Sequence, residues 1–255
     1  MKKFLLIMLL GLVLVSVASA ELLTTANPLG KGKWAGLGAY ISDANVQNNS
    51  SYNMTTIGGY VGYGVTDKLD AYLQYGAATV GGLPTVNGAY LAAAYGNPAL
   101  AALPGSVQAK SSITAIGLNA KYTLIEEGNG LPFSLAAGAG YKSLNYSMTT
   151  PGLDSLTAPT KIIGTDATAT GNQSMVGFGI SKMMIPFIPY AGVDYRSTTQ
   201  SGNAVSTQVD LTLGTLIGLS MHGGILVEYT QQSVTPNGGS NYSSGQVSGA
   251  VAYIL

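Results

Sequence analysis

From residue 33 to the C-terminus the chain repeats one pattern: strand-length runs with apolar residues at every second position, broken by polar or glycine-rich stretches. The clearest unit is Lys68-Leu69-Asp70-Ala71-Tyr72-Leu73-Gln74-Tyr75. Leu69, Ala71, Leu73 and Tyr75 share one face, and Lys68, Asp70, Tyr72 and Gln74 share the other. The pattern predicts about ten strands, near residues 33–42, 53–63, 68–77, 111–124, 132–146, 173–184, 190–199, 205–219, 225–234 and 244–255. No helix is expected beyond residue 20. Tight turns follow the even-numbered strands, at Gly64-Val65-Thr66-Asp67, residues 126–130, 186–189 and 221–224. Longer polar loops follow the odd-numbered ones, above all residues 43–52 and 147–170.

Such two-faced strands need an apolar partner, and the ends of the chain suggest which one. Lys2 and Lys3, the apolar run 4–17 and Ala18-Ser19-Ala20 have the layout of a secretory signal cleaved near Glu21. No later apolar run reaches the roughly 18 residues that a membrane-crossing helix requires. In an exported chain the oily faces are therefore expected to meet lipid, and strands cross lipid only as a closed barrel, because an open edge would leave backbone groups unsatisfied. The expected layout is a signal peptide at 1–20, a periplasmic N-terminal segment at 21–32 and an all-β, antiparallel up-and-down transmembrane barrel at 33–255. Ten strands fit the pattern better than eight or twelve.

Composition narrows the chemistry. The chain has no cysteine, which removes disulfides, thiolate metal sites and a lipid-anchored N-terminus. Charged residues make up 9%, and loss of Lys2 and Lys3 leaves the mature chain two acidic residues in excess, so nothing provides a basic footprint for nucleic acid. Tyrosine (16) far outnumbers phenylalanine (4), as suits a surface that is apolar on one side and wet on the other. Phe133 and Tyr141 are expected to face outward about 20 Å apart along the membrane normal, near the height of an outer-membrane apolar band. Tyr63, Tyr122 and Tyr253 fall at one set of strand ends and Tyr75, Tyr195 and Tyr229 toward the other, which predicts two belts.

The candidate functional residues face inward. Asp194, Arg196 and Asp210 are expected on neighbouring strands at similar depth, with Glu228, Lys121, Lys142 and Asp70 elsewhere on the inner wall. They form either an ion-selective constriction or structural ion pairs that satisfy charge in a narrow lumen. Small inward positions (Gly36, Gly38, Gly58, Gly62, Gly138, Gly140, Gly177, Gly179, Ala250 and Ala252) either leave a channel or make room for inward Tyr40, Tyr60, Tyr72 and Tyr190. Residues 71–109 contain no charge, and their loop portion either forms an ordinary external loop, folds inward, caps the barrel or binds an apolar partner. An added hairpin there is disfavoured by Pro98 and Pro104. Enzyme signals are poor: His222, the only histidine, falls in a short turn, and Gly138-Ala139-Gly140-Tyr141-Lys142-Ser143 lies within a strand, where it cannot act as a phosphate loop.

The chain resembles the bacterial outer-membrane β-barrel proteins, the broad OmpA-type and porin-like group. The signal peptide, the opening Gly32-Lys33-Trp34-Ala35-Gly36-Leu37-Gly38-Ala39-Tyr40, the hairpin Gly62-Tyr63-Gly64-Val65-Thr66-Asp67-Lys68-Leu69-Asp70 and an alternating last strand carry the resemblance. The group's last strand usually ends in an aromatic residue, whereas this one ends Tyr253-Ile254-Leu255. The resemblance implies residence in the outer membrane, lipid as the surrounding partner, periplasmic chaperones and the barrel assembly machinery during biogenesis, and both termini in the periplasm. It implies no cofactor, metal or nucleic acid. The most concrete activity expected is passive diffusion of small solutes through a narrow pore. The alternative is a closed barrel that serves envelope structure or surface interaction through its external loops, and a barrel enzyme is a distant third.

Overall fold

The computed structural model describes residues 25–47, 51–128, 131–155, 159–200, 203–220, 223–238 and 241–254, without the side chains of 37–53, 203 and 254. The expected signal peptide, Asn129-Gly130, Ser201-Gly202, Met221-His222 and Leu255 lie outside the described residues, as does the Tyr40 side chain. The barrel strands are β1 (Trp34–Gln47), β2 (Ser51–Gly64), β3 (Leu69–Gly81), β6 (Lys110–Ile125), β7 (Ser134–Leu153), β8 (Ile162–Ser181), β9 (Phe187–Gln200), β10 (Asn203–Gly218), β11 (Gly223–Pro236) and β12 (Tyr242–Ile254). Each pairs antiparallel with its neighbours, and β1 pairs with β12, so the sheet closes on itself with ten strands. Closure removes the free edges that lipid could not satisfy.

Alternation sets the two faces as expected. Leu73, Leu118, Tyr141, Phe178 and Leu213 are exposed on the outside, while Gln74, Asn119, Lys142 and Thr212 are buried inside. On β6 the outward apolar residues run from Ile116 through Leu118 and Tyr122 to Leu124, a band of about 20 Å at a strand tilt of about 40°. Aromatic residues border it. Trp34 and Tyr63 pack ring to ring at 4.7 Å near the terminal end, where β1 begins and β12 finishes, with Tyr122, Phe187 and Tyr253 at neighbouring strand ends. Tyr75, Tyr141, Tyr195 and Tyr229 border the band on its other side.

Beyond that second belt the strands continue. Residues 147–170, expected as loop, instead extend β7 to Leu153 and start β8 at Ile162, and residues 43–52 are largely the paired ends of β1 and β2. The loop-length contrast thus becomes a strand overhang beyond the band.

Two further expectations change. Residues 82–109 contain a helix, α1 (Gly88–Tyr95), where none was expected. Asn87 caps it by accepting from the Tyr90 N–H at 2.8 Å, and Gly96 ends it in the left-handed conformation at φ 64°. A 3₁₀ turn (Pro98–Ala102) and the two-stranded pair β4 (Thr85–Asn87) and β5 (Ser106–Gln108) complete a small lobe outside the barrel. Val86, Leu91 and Leu100 of the lobe pack on Ile162 of β8, so it leans on the β7–β8 hairpin. The second change concerns β1. Gly36 stands opposite Val61 and Tyr253, both outward positions, so it faces out. A register shift between residues 37 and 41 reverses the parity of β1 midway, which simple alternation cannot reveal.

Candidate functional site

All the inward charges named from the sequence are buried in the barrel interior, and they form two groups. The first stands at mid-height. Asp194 and Asp210 lie directly opposite each other on β9 and β10. Between them Arg196 pairs with Asp210 at 3.1 Å and with Asp194 at 3.6 Å, and its side chain is 0% exposed. Gln208 donates to Asp210 at 2.6 Å. Lys142 comes from β7 to within electrostatic reach of Asp194, Asp210 and Arg196. Glu228 on β11 accepts from the Tyr190 hydroxyl at 2.7 Å and from Thr230 at 3.3 Å. The second group stands close to the terminal end, where Lys121 pairs with Asp70 at 3.2 Å and Asp70 accepts from the Tyr72 hydroxyl at 3.1 Å.

The inward glycines are filled by their neighbours. A Cβ on Gly62 would lie 2.6 Å from the Tyr72 ring, and one on Gly117 would lie 2.6 Å from Lys142 Cγ. At Gly140, Gly177 and Gly214 it would collide with Asn119, Asp194 and Tyr190. Each small residue is thus the hole for a large residue on the next strand. Tyr60, Tyr72, Tyr190, Leu226 and Ala250 meet as one buried cluster across the interior, with the Tyr60 and Tyr72 rings edge to face at 5.8 Å. Of the two readings made from the sequence, room for inward side chains is the one that the geometry bears out at Gly62, Gly140 and Gly177.

Alternation alone missed two features. Met54, Ala78, Ile113, Ala115, Leu144 and Tyr146 form an apolar cluster inside the overhang. Adjacent apolar residues such as Ala115-Ile116 signal it, because there the oily face changes sides. The other is the segment ahead of β1. Residues 25–29, expected to lie in the periplasm, sit inside the mouth at the terminal end, where Ala26 is 1% exposed against Ala136 and Met175.

No protein-family model matches the chain, and no curated protein matches it. Solved structures do. The β domain of the Bordetella autotransporter BrkA aligns with a TM-score of 0.53 at 12% identity over 87% of this chain and 98% of that one. The translocator domain of the autotransporter NalP from Neisseria meningitidis gives 0.48 at 11% identity, covering 88% of each chain. The outer membrane protease OmpT from Escherichia coli gives 0.44 at 12% identity, covering 88% and 97%. The Bordetella barrel carries the comparison, and at that identity what is shared is the fold. The chain has the fold of the bacterial outer-membrane β-barrel proteins.

Proposed function

We propose that the chain is a closed, non-enzymatic barrel of the bacterial outer membrane that acts through the surface it presents outside the cell. In this reading the end with both termini faces the periplasm, and the overhang and the lobe face outward. Assembly would use the general barrel machinery and periplasmic chaperones. The observation that carries the reading is the packed interior. Arg196, Asp210, Thr230, Gln232 and Gln246 are each 0% exposed, and they come from four successive strands. A water-filled passage alongside them would leave part of each wetted. The Asp194–Arg196–Asp210 group then acts as an internal brace rather than as a filter.

Purified protein refolded into planar bilayers tests this. The expected result is no stable ohmic step in the wild type. A steady single-channel conductance whose cation preference rises in Arg196→Ala would overturn the closed reading in favour of a charge-lined pore, because that change leaves the two aspartates without their arginine.

A further inference from the structure

The mouth at the periplasmic end contains a built site, and its occupant is a peptide. From the rim, where the Gly32 N–H donates to the Gly64 carbonyl at 2.8 Å, the chain read backwards turns into the lumen at Leu29 and crosses toward β7 and β8. The bonds that hold it go almost entirely to its main chain. Lys121 Nζ donates to the carbonyls of Thr25 at 2.9 Å and Asn27 at 2.8 Å. The Thr123 hydroxyl donates to the Ala26 carbonyl at 2.9 Å, and the Ala26 N–H donates to Ser181 Oγ at 2.9 Å. The Leu29 N–H donates to both Asp70 carboxylate oxygens, at 3.1 and 3.2 Å. Ser134 donating to Asn27 Oδ1 is the one side-chain contact among them. Lys121, Asp70, Thr123, Ser134 and Ser181 are all at least 98% buried. One ion pair, Lys121–Asp70, therefore supplies both the cation that reads the carbonyls and the anion that reads the N–H.

We propose that this mouth is a main-chain-reading peptide site, occupied in cis by residues 25–29 as a strap across the periplasmic end of the lumen. The ligand class is an extended peptide with a small residue in the pocket of Ala26 and an apolar residue beside Tyr72, where Leu29 packs. The Lys121 contacts accept the carbonyl of any residue and the Asp70 contact takes the N–H of any residue except proline, so side-chain identity matters little at both. The site does not depend on whether the lumen above it conducts.

Because the chain lacks cysteine, single cysteines report the strap cleanly. In the full mature protein, folded as judged by heat-modifiable gel mobility, Ala26→Cys should react with a maleimide at least about tenfold more slowly than Lys31→Cys at the exposed rim. Adding Leu29→Pro deletes the N–H that Asp70 receives and should speed labelling at position 26 by roughly tenfold, the equivalent of one charge-assisted hydrogen bond, whereas Leu29→Ala keeps the N–H and should change it less. Lys121→Met should act like Leu29→Pro. If Lys121→Met fails to fold, Leu29→Pro decides alone, since residue 29 belongs to no strand. Equal rates at positions 26 and 31 in the otherwise unaltered chain would overturn the proposal, and so would a slow rate at position 26 that Leu29→Pro leaves unchanged.

Discussion

The lower and upper parts of the β6–β7 wall solve opposite problems with one unbroken ladder. In the lower part Leu118, Ala120 and Tyr141 face out, and Asn119, Lys121 and Lys142 face in. In the upper part Thr114, Asn145 and Ser147 face out, and Ile113, Leu144 and Tyr146 face in. Pairing continues without a slip from Lys110↔Thr149 to Thr123↔Ala136, so the side chains keep their parity while the polarity of the two faces exchanges. The medium explains it. Lipid accepts an oily exterior and forces polar groups inward, whereas water accepts a polar exterior and lets the interior pack as an ordinary apolar core. The polarity exchange at Ala115-Ile116 therefore marks where the wall leaves the apolar band.

Breaking the lower interior should have the largest effect. Arg196→Ala leaves Asp194 and Asp210 facing each other without the guanidinium that pairs with both and should cost about 3 to 5 kcal/mol in unfolding by denaturant in micelles. A loss below about 1 kcal/mol would mean that water reaches the pair, and the contrast between a packed lower interior and a wet one would collapse. On the outside, the two levels should part company under the same substitution. Leu118→Lys, near mid-band, should destabilise by about 2 to 4 kcal/mol, and Asn145→Lys, on the adjacent strand above the band, by less than about 0.5 kcal/mol. Equal penalties would refute the placement of the boundary.

This exchange also explains which parts of the molecule can be read from the sequence. The strand count, the outward stripe and the inward charges follow from alternation because, within the band, polarity and parity agree. Strand ends above the band do not follow, since Ser147, Thr168 and Thr170 read as polar loop when they are the wet face of two continuing strands. The orientation of Gly36 was hidden by a backbone irregularity that leaves no mark in the residue types. The residues of the charge groups were legible one by one, but their pairing was only half so. Asp194 opposite Asp210 follows from counting along a hairpin, whereas Lys121 with Asp70 depends on β3 meeting β6 across the intervening lobe. The strap was illegible because what the wall side chains bind is its backbone, and backbone has no sequence signature.

A smaller effect sharpens the sidedness of the comparison. Lys161 is exposed near the tip of the β7–β8 overhang, and Lys68 and Lys182 are exposed beside turns at the opposite end. Trypsin applied to intact cells should cut after Lys161 and spare the other two, giving fragments that divide the chain between β7 and β8. Cleavage after Lys68 or Lys182 with Lys161 intact would invert the barrel in the membrane.

The smallest expected effect lies at that same tip, where water and not packing sets the energetics. Asp154 accepts hydrogen bonds from the Ser155 and Thr160 N–H groups at 2.9 Å, from the Lys161 N–H at 3.2 Å and from the Thr160 hydroxyl. Chiefly through the two contacts from Thr160, these donors favour the charged carboxylate and lower its pKa from 3.8 to about 2. A depressed carboxylate contributes its stabilisation fully above the unfolded value and loses it as pH falls through the folded one. The hydrogen bonds that Asp154 accepts should therefore persist from neutral pH down to about 4 and be lost as pH falls toward 2. Amide shifts of Thr160 and Lys161 in micelles should follow one transition with its midpoint near 2, and Asp154→Asn should abolish it. A midpoint at the ordinary carboxylate value would mean that the four donors do not hold Asp154 in solution. Because this site is fully in water, the change should leave the unfolding midpoint of the barrel where it was, in contrast to Arg196→Ala.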